Sequence, residues 1–494
     1  MLSTLYKPSL SLLTDLYQIT MVQGYFKAGM AQREAVFTLH FRKNPFSGGY
    51  TIAAGLAEAI EWLQGLKFDP ADIAYLAGLK TPNDQPLFDP AFLSWLVVQP
   101  LALDVDAVPE GRVVFPHEPL LRVRGPLWQA QFVETALLNI INFQTLIATK
   151  AARICSAAGN DPVIDFGLRR AQGIDGALSA VRAAFIGGVS ATSNVLAGKM
   201  LGIPVRGTHA HSWVMSFPSE QEAFAAYASA MPDNTLLLVD TYQTLDGVRN
   251  AIRIGLDLAK RGHRMLGVRL DSGDLAYLSR EARRMLDEAG LADASVVASN
   301  DLDEHTIESL KQQGARIDAW GVGTRLVTGH DQPALGGVYK LGALKDGQQW
   351  RHVVKASEHA AKASIPGMLA VRRFSRNGIF AGDMIYDQLG KDFAHASVIV
   401  HPADPLRRRE LSGESEALLM PVMRAGQLVA PEVTDRSALD AARRRCASDL
   451  QRLDPACKRL LNPHEYPAGL ERELHDRRTS MILSVRGHNT ETTA

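Results

Sequence analysis

Along the 494 residues the apolar positions change their rhythm more than once. Leu12 to Ala28 repeats at helical spacing, with Asp15 and Tyr17 in the first turns. Ala35–Arg42 (Ala-Val-Phe-Thr-Leu-His-Phe-Arg) alternates like a half-buried strand and stops at Asn44-Pro45 and Ser47-Gly48-Gly49. Leu101–Val108 and Arg112–Val123 predict two further strands with Pro109-Glu110-Gly111 as their turn, so antiparallel sheet is expected here. Pro126–Ala158 predicts one long helix. Proline suits its start, Phe132, Leu137, Ile140, Ile141, Gln144 and Ile147 lie near one face, and Gly159 can end it.

From about residue 160 to 345 short apolar runs take over, each closed by polar residues and followed by a helix. The runs are Pro162–Gly167, Ala184–Gly188, Val205–Thr208, Thr235–Asp240, Met265–Leu270, Ser295–Ser299 and Ala319–Val322. About seven strand-plus-crossover units at such spacing call for parallel pairing. No Gly-x-Gly-x-x-Gly fingerprint opens the series, so the expectation is an α/β fold built on an irregular (β/α) barrel rather than an open nucleotide-binding sheet. In such a fold the polar tips of the strands gather at one end, and function gathers with them.

The rest of the chain divides around that barrel. Residues 1–125 are expected to form an N-terminal α+β domain, 126–345 the linking helix and barrel, and 346–487 a region packing on the N-terminal domain. Strand signals lie near Lys355 and at Leu369–Phe374, before a Pro/Arg-rich stretch (Pro402–Arg409) and an Arg-rich helix at Ser437–Leu453. Residues 488–494 read as a disordered tail.

Composition narrows the class. At 46% hydrophobic and 21% charged, the chain has the make-up of a soluble globular protein, and its length exceeds what one core usually supports. Lys plus Arg equals Asp plus Glu at 53 each, which points to neither a nucleic-acid nor a membrane surface. A bound anion must therefore be held by a local cluster. Cys155, Cys446 and Cys457 form no CxxC pair, which argues for a reducing cytoplasm, and no signal-peptide charge pattern opens the chain.

The strand tips carry the candidate chemistry. Asp165-Phe166-Gly167-Leu168-Arg169-Arg170-Ala171-Gln172-Gly173 sets paired arginines among small residues, where a planar guanidinium can grip two oxygens of a carboxylate or phosphate. Arg169 is the favoured member, against the alternative of a surface ion pair. Gly207-Thr208-His209-Ala210-His211-Ser212 has the His-x-His spacing of amidohydrolase metal sites, yet His263, His305 and His330 do not fall at later strand ends. An imidazole can instead act as nucleophile toward a phosphoryl group, which singles out His211; a buried structural role suits His209 better. Arg269-Leu270-Asp271-Ser272-Gly273-Asp274 combines a cation with two carboxylates, where Asp271 and Asp274 are candidates for ribose hydroxyls or for Mg²⁺ through its bound water. A helix N-cap is the plainer role for Asp274. Gly321-Val322-Gly323-Thr324 is a short turn whose N–H groups could cradle a phosphate.

Taken together, Leu13-Thr14-Asp15-Leu16-Tyr17-Gln18, Phe166–Gly173, Ser193-Asn194-Val195-Leu196-Ala197-Gly198, Gly207–Ser212, Arg269–Asp274 and Gly321–Thr324 resemble the nicotinate phosphoribosyltransferase family, from about residue 10 to 345. The resemblance implies a type II phosphoribosyltransferase barrel with a second α+β domain made from both ends of the chain. It implies a ligase-class enzyme of NAD salvage that joins nicotinate to 5-phosphoribosyl 1-pyrophosphate, with Mg²⁺ present and ATP as co-substrate. By motif position Arg169, Arg269 and Thr208 would hold nicotinate, Tyr17 would stack on its ring, and Thr324 would meet the 5-phosphate. His211 would be the histidine that ATP phosphorylates. Asp15 and Tyr17 would reach the neighbouring subunit's site, which implies a cytoplasmic homodimer with shared active sites.

Four rivals remain. A nicotinamide phosphoribosyltransferase would match its amide with a carboxylate rather than with extra cations. A quinolinate phosphoribosyltransferase would suit a shorter, more basic chain. A metal-dependent amidohydrolase would retain zinc, and a catalytically silent homologue would have lost the arginines or His211. Which carboxylate orients His211 is open, with Asp240 and Asp165 suggested by their strand-end positions.

Overall fold

The alternating strands near the N-terminus pair with strands from the far end of the chain. In the computed structural model, which describes residues 6, 9–357, 363–390, 397–435 and 437–487, Glu34–His40 lies between Val338–Asp346 and Leu121–Pro126, antiparallel to both. Asp104–Ala107 extends this seven-stranded sheet and pairs with Met420–Arg424. Ala35, Phe37 and Leu39 enter one core cluster and Val36 another, as the two-residue period requires when both faces are covered. Thr38 and His40 are buried as well, so the expected half-buried strand is a fully buried one.

The chain separates into one unit of residues 1–146 and 334–494 and another of residues 147–333. The first unit holds the seven-stranded sheet and a six-stranded sheet that includes Leu369–Arg376, Ile379–Asp387 and Ala468–Glu471. Lys355 itself lies outside any strand, after Gln349–His352. The Pro/Arg-rich stretch becomes the exposed strand Asp404–Leu411, and the Arg-rich helix spans Ala438–Arg452. Residues 488–494 lie outside the described residues. The expected single helix after Pro126 is two, Leu127–Phe132 and Glu134–Ala158, with the break at Val133. No helix among the described residues is long and apolar enough to cross a membrane.

In the second unit strand and helix alternate. The strands are β1 (Val163–Asp165), β2 (Ala191–Thr192), β3 (Leu236–Leu238), β4 (Gly267–Leu270), β5 (Ser295–Ala298) and β6 (Ala319–Val322). The helices are α1 (Gly173–Ile186), α2 (Val195–Leu201), α3 (His211–Met215), α4 (Glu220–Ala230), α5 (Thr244–Lys260), α6 (Leu275–Glu288), α7 (Glu304–Gln312) and α8 (Thr324–Val327). All six strands are parallel, in the order β2-β1-β6-β5-β4-β3. Leu237, Leu238, Val268, Leu270, Val296 and Val322 are buried, the continuous apolar pattern of strands covered on both faces. Asn194, Asp274 and Asp303 cap α2, α6 and α7 by accepting N–H bonds from Ala197, Tyr277 and Thr306.

Two of the seven expected runs behave differently. Ala184–Gly188 is the end of α1 and its turn rather than a strand. A short apolar run does not distinguish a buried helix end from a strand, and α1 is buried from Ala180 to Ile186. The strand comes later, at Ala191–Thr192. Val205–Thr208 contributes one bridge, Thr192 to Val205, and no ladder. The sheet is therefore not closed: among the described residues its ladders end at β2 and β3, with the single bridge to Val205 beyond β2, in place of the expected barrel of about seven strands.

Candidate active site

The parallel strands deliver their following residues to one edge of the second unit. Register sets this level: Asp165 lies beside Val322 and Thr192, and Arg269 beside Leu238 and Val297. A cleft with about 660 Å³ of empty space, part of it open to solvent, is lined by Phe166, Leu168, Arg169, Ser193, Gly207, Thr208, His209, Ala210 and Arg269. Three sequence candidates thus meet in one place: Arg169, Thr208 and Arg269.

The two arginines differ. Arg269 stands on β4, its Nε donates to Ser299 Oγ at 2.8 Å, and its Nη2 donates to Asp271 Oδ1 at 3.0 Å. Its guanidinium carbon lies 5.3 Å from the centre of the Phe166 ring, within cation–π range. Its orientation is determined by three neighbours and its charge is partly balanced by Asp271. Arg169, in the short turn Leu168–Arg170, is exposed and has no ion pair among the described residues, so its charge is available to a ligand. Phe166 was given no role by sequence reasoning. Its cue was Gly321 on the adjacent strand, where a Cβ would stand 2.5 Å from the ring: only a glycine lets Phe166 lie over β6.

His211 opens α3, with its side chain 42% exposed. Its Nδ1 is 3.2 Å from Thr241 Oγ1, and its Nε2 is 3.9 Å from Asp271 Oδ2. The nearest carboxylate is therefore Asp271, and neither suggested residue takes that place. Asp165 spends its oxygens on Gly167 N (2.8 Å) and Thr192 Oγ1 (2.7 Å), fixing the β1 turn, and burial raises its pKa. Asp240 acts one residue further out, accepting from Asp271 N at 3.0 Å and Ser272 Oγ at 2.5 Å. Its other oxygen, Oδ1, is buried without a partner among the described residues.

His209 points inward where His211 points out. Its Nε2 accepts the N–H of Leu238 at 3.2 Å, and burial lowers its pKa. With that nitrogen engaged, the two histidines do not converge as the amidohydrolase motif would need. Asp274 caps α6 through Tyr277 N at 3.0 Å. Thr324 opens α8 and does not line the cleft. Asp15 and Tyr17 belong to the first unit, where Thr135 Oγ1 donates to Asp15 Oδ2 at 3.0 Å and burial, then Glu134, raises the Tyr17 pKa.

A parallel α/β sheet whose strand ends gather two arginines, an exposed histidine and unspent carboxylate oxygens defines an enzyme-like anion site. Comparison with known proteins agrees with that class and makes it specific. Models of the nicotinate phosphoribosyltransferase N-terminal domain, family and C-terminal domain match residues 12–142, 162–377 and 369–478. A nicotinate phosphoribosyltransferase of Bacillus subtilis is 43% identical over 98% of this chain and 97% of its own. The crystal structure of human nicotinic acid phosphoribosyltransferase superposes with a TM-score of 0.82 at 33% identity, covering 95% of this chain and 100% of that one. Nicotinate-nucleotide pyrophosphorylase from Pyrococcus furiosus, at 20% identity and a TM-score of 0.66, shares the fold. The chain belongs to the nicotinate phosphoribosyltransferase family, a family of enzymes.

Proposed function

We propose that this protein joins nicotinate to 5-phosphoribosyl 1-pyrophosphate, releasing pyrophosphate and forming nicotinate mononucleotide for NAD salvage, with ATP hydrolysed through a phosphohistidine at His211. The observation that carries the reading is the pair of arginines on one cleft: Arg269 oriented by Ser299, Asp271 and Phe166, and Arg169 left unpaired. Arg269 has an internal countercharge and Arg169 has none, so the cleft keeps net positive charge for the carboxylate of nicotinate. A nicotinamide ring would not use it.

In this reading Thr208 helps hold nicotinate and the ring lies against Phe166, with Tyr17 stacking from a neighbouring subunit. Asp15 accompanies it, so a homodimer shares its sites. The pyridine nitrogen attacks ribose C1 as pyrophosphate departs, and Thr324 meets the 5-phosphate. His211, half exposed and flanked by Thr241 and Asp271, takes the phosphoryl group of ATP on a ring nitrogen while ADP leaves. The scaffold is an incompletely paired parallel sheet of the type II phosphoribosyltransferase kind, and the enzyme works in the cytoplasm.

Mg²⁺ fits the residues present. Asp240 has an unpartnered buried oxygen beside the segment that carries Asp271, and Mg²⁺ commonly takes one or two carboxylates alongside substrate phosphates. Asp240 and Asp271 would hold it, with Asp274 reached through water. When bound it would neutralise charge on the departing pyrophosphate.

The test is product formation from labelled nicotinate or nicotinamide with phosphoribosyl pyrophosphate and Mg²⁺. Mononucleotide from nicotinate is the expected result. Product from nicotinamide alone would overturn the arginine argument.

A further inference from the structure

The gap in the sheet is spanned by side chains. Among the described residues β3 is an edge strand paired only with β4, and its Leu238 N–H points to the open side, where no described strand receives it. The segment after the Thr192–Val205 bridge runs past that edge. Two consecutive residues of it reach β3. Thr208 Oγ1 donates to Leu236 O, and His209 Nε2 accepts from Leu238 N at 3.2 Å. With Nε2 as acceptor, the ring proton of a neutral imidazole sits on Nδ1, facing Ala210 O at 3.4 Å.

The ring is held from the other side by α4 and α3. Tyr227 meets it edge-on at 4.8 Å, Phe224 lies at 6.0 Å, and Trp213 stands against Tyr227 at 5.9 Å while its indole N–H donates to Ala223 O. A buried N–H without an acceptor is costly, so Leu238 and His209 each need the other.

We infer that His209 is a positioning residue: its imidazole supplies to Leu238 the acceptor that another strand would have supplied, and so seats Thr208, directly before it, and His211, two residues after it, against the sheet. Thr208 faces the cleft and His211 faces Thr241, the third residue beyond Leu238. A slack strap would loosen both at once. The effect on turnover rests on the phosphoribosyl-transfer reading; the strap itself does not.

The test compares His209→Phe, His209→Gln and His209→Asn in the full chain. Phenylalanine keeps the ring and loses the acceptor; the glutamine amide oxygen can stand where Nε2 stands; that of asparagine falls short. Amide exchange at Leu238 is expected to quicken about ten-fold or more in the Phe and Asn variants and to return near the parent rate with Gln. The nicotinate KM should rise and ATP stimulation fall by a similar factor in Phe and Asn, with rescue by Gln. Should the Phe variant not fold, the Gln–Asn contrast carries the same decision. Unchanged Leu238 exchange in Asn, or equal impairment of Gln and Asn, overturns the strap. Exchange that follows the expected order in a protein that does not turn nicotinate over leaves the strap standing and sinks the functional reading alone.

Discussion

Replacing Arg269 with lysine keeps the charge and removes the fork. In the native protein Nε is committed to Ser299 at 2.8 Å and Nη2 to Asp271 at 3.0 Å, which leaves Nη1 for a ligand carboxylate. A lysine ammonium is one point charge on a flexible stem and cannot serve Ser299, Asp271 and a ligand together. Hydrogen bonds to charged groups contribute about 1.5–3 kcal/mol each, and tenfold in affinity corresponds to about 1.4 kcal/mol. Loss of the ligand bond should therefore raise the nicotinate KM about 10- to 100-fold. The Arg269 side chain is only 13% exposed, so solvent cannot replace what is lost. Initial rates across nicotinate concentrations, with nicotinamide as control, measure this, and thermal unfolding reports the internal contacts. The kcat/KM preference for nicotinate over nicotinamide should collapse. An Arg269→Lys protein with unchanged nicotinate KM and unchanged preference would refute the clamp.

Three other perturbations follow from the same structure. Gly321→Ala would place a methyl group 2.5 Å from the Phe166 ring, pushing it off Arg269; a several-fold rise in nicotinate KM with little change in fold by circular dichroism is expected. Glu304→Gln strips the countercharge from Lys150 and Arg153, all three buried, and should cost about 3–5 kcal/mol in urea unfolding. Burial alone would raise the Glu304 pKa, but the two cations more than offset it and hold it below 4.5, so this stabilisation is full above that value and fades as pH falls through the lower folded value. Burial, then nearby cations, holds His40 neutral down to about 3 from 6.5. Below pH 6.5 the unfolded chain takes up a proton there that the folded chain refuses, so stability falls with pH by about 1.4 kcal/mol per unit. His40→Phe should flatten that slope in unfolding measured between pH 6.5 and 4.

Legibility followed locality. The runs at Thr235–Asp240, Met265–Leu270, Ser295–Ser299 and Ala319–Val322 each contain an observed strand, because a buried parallel strand writes itself as a short apolar run. Ala184–Gly188 misled for the same reason, since a helix packed on all sides writes the same run. Arg169, Thr208 and Arg269 were visible as residue types at strand ends. What escaped were partners contributed by other strands: Ser299 on Arg269, Thr241 and Asp271 on His211, and Leu238 on His209. Those depend on register and on an edge left unpaired, and neither is encoded at the residue itself. Phe166 hid differently, its significance lying in the missing Cβ of a glycine some 150 residues away in the chain, as parallel crossovers allow.

The most direct test of the account is the ratio of nicotinate mononucleotide formed with and without ATP, in the parent protein and in His211→Asn. The parent should make more product with ATP, and the variant should show no stimulation and acquire no label from γ-labelled ATP. Equal stimulation in the variant would contradict the phosphohistidine at the centre of the account.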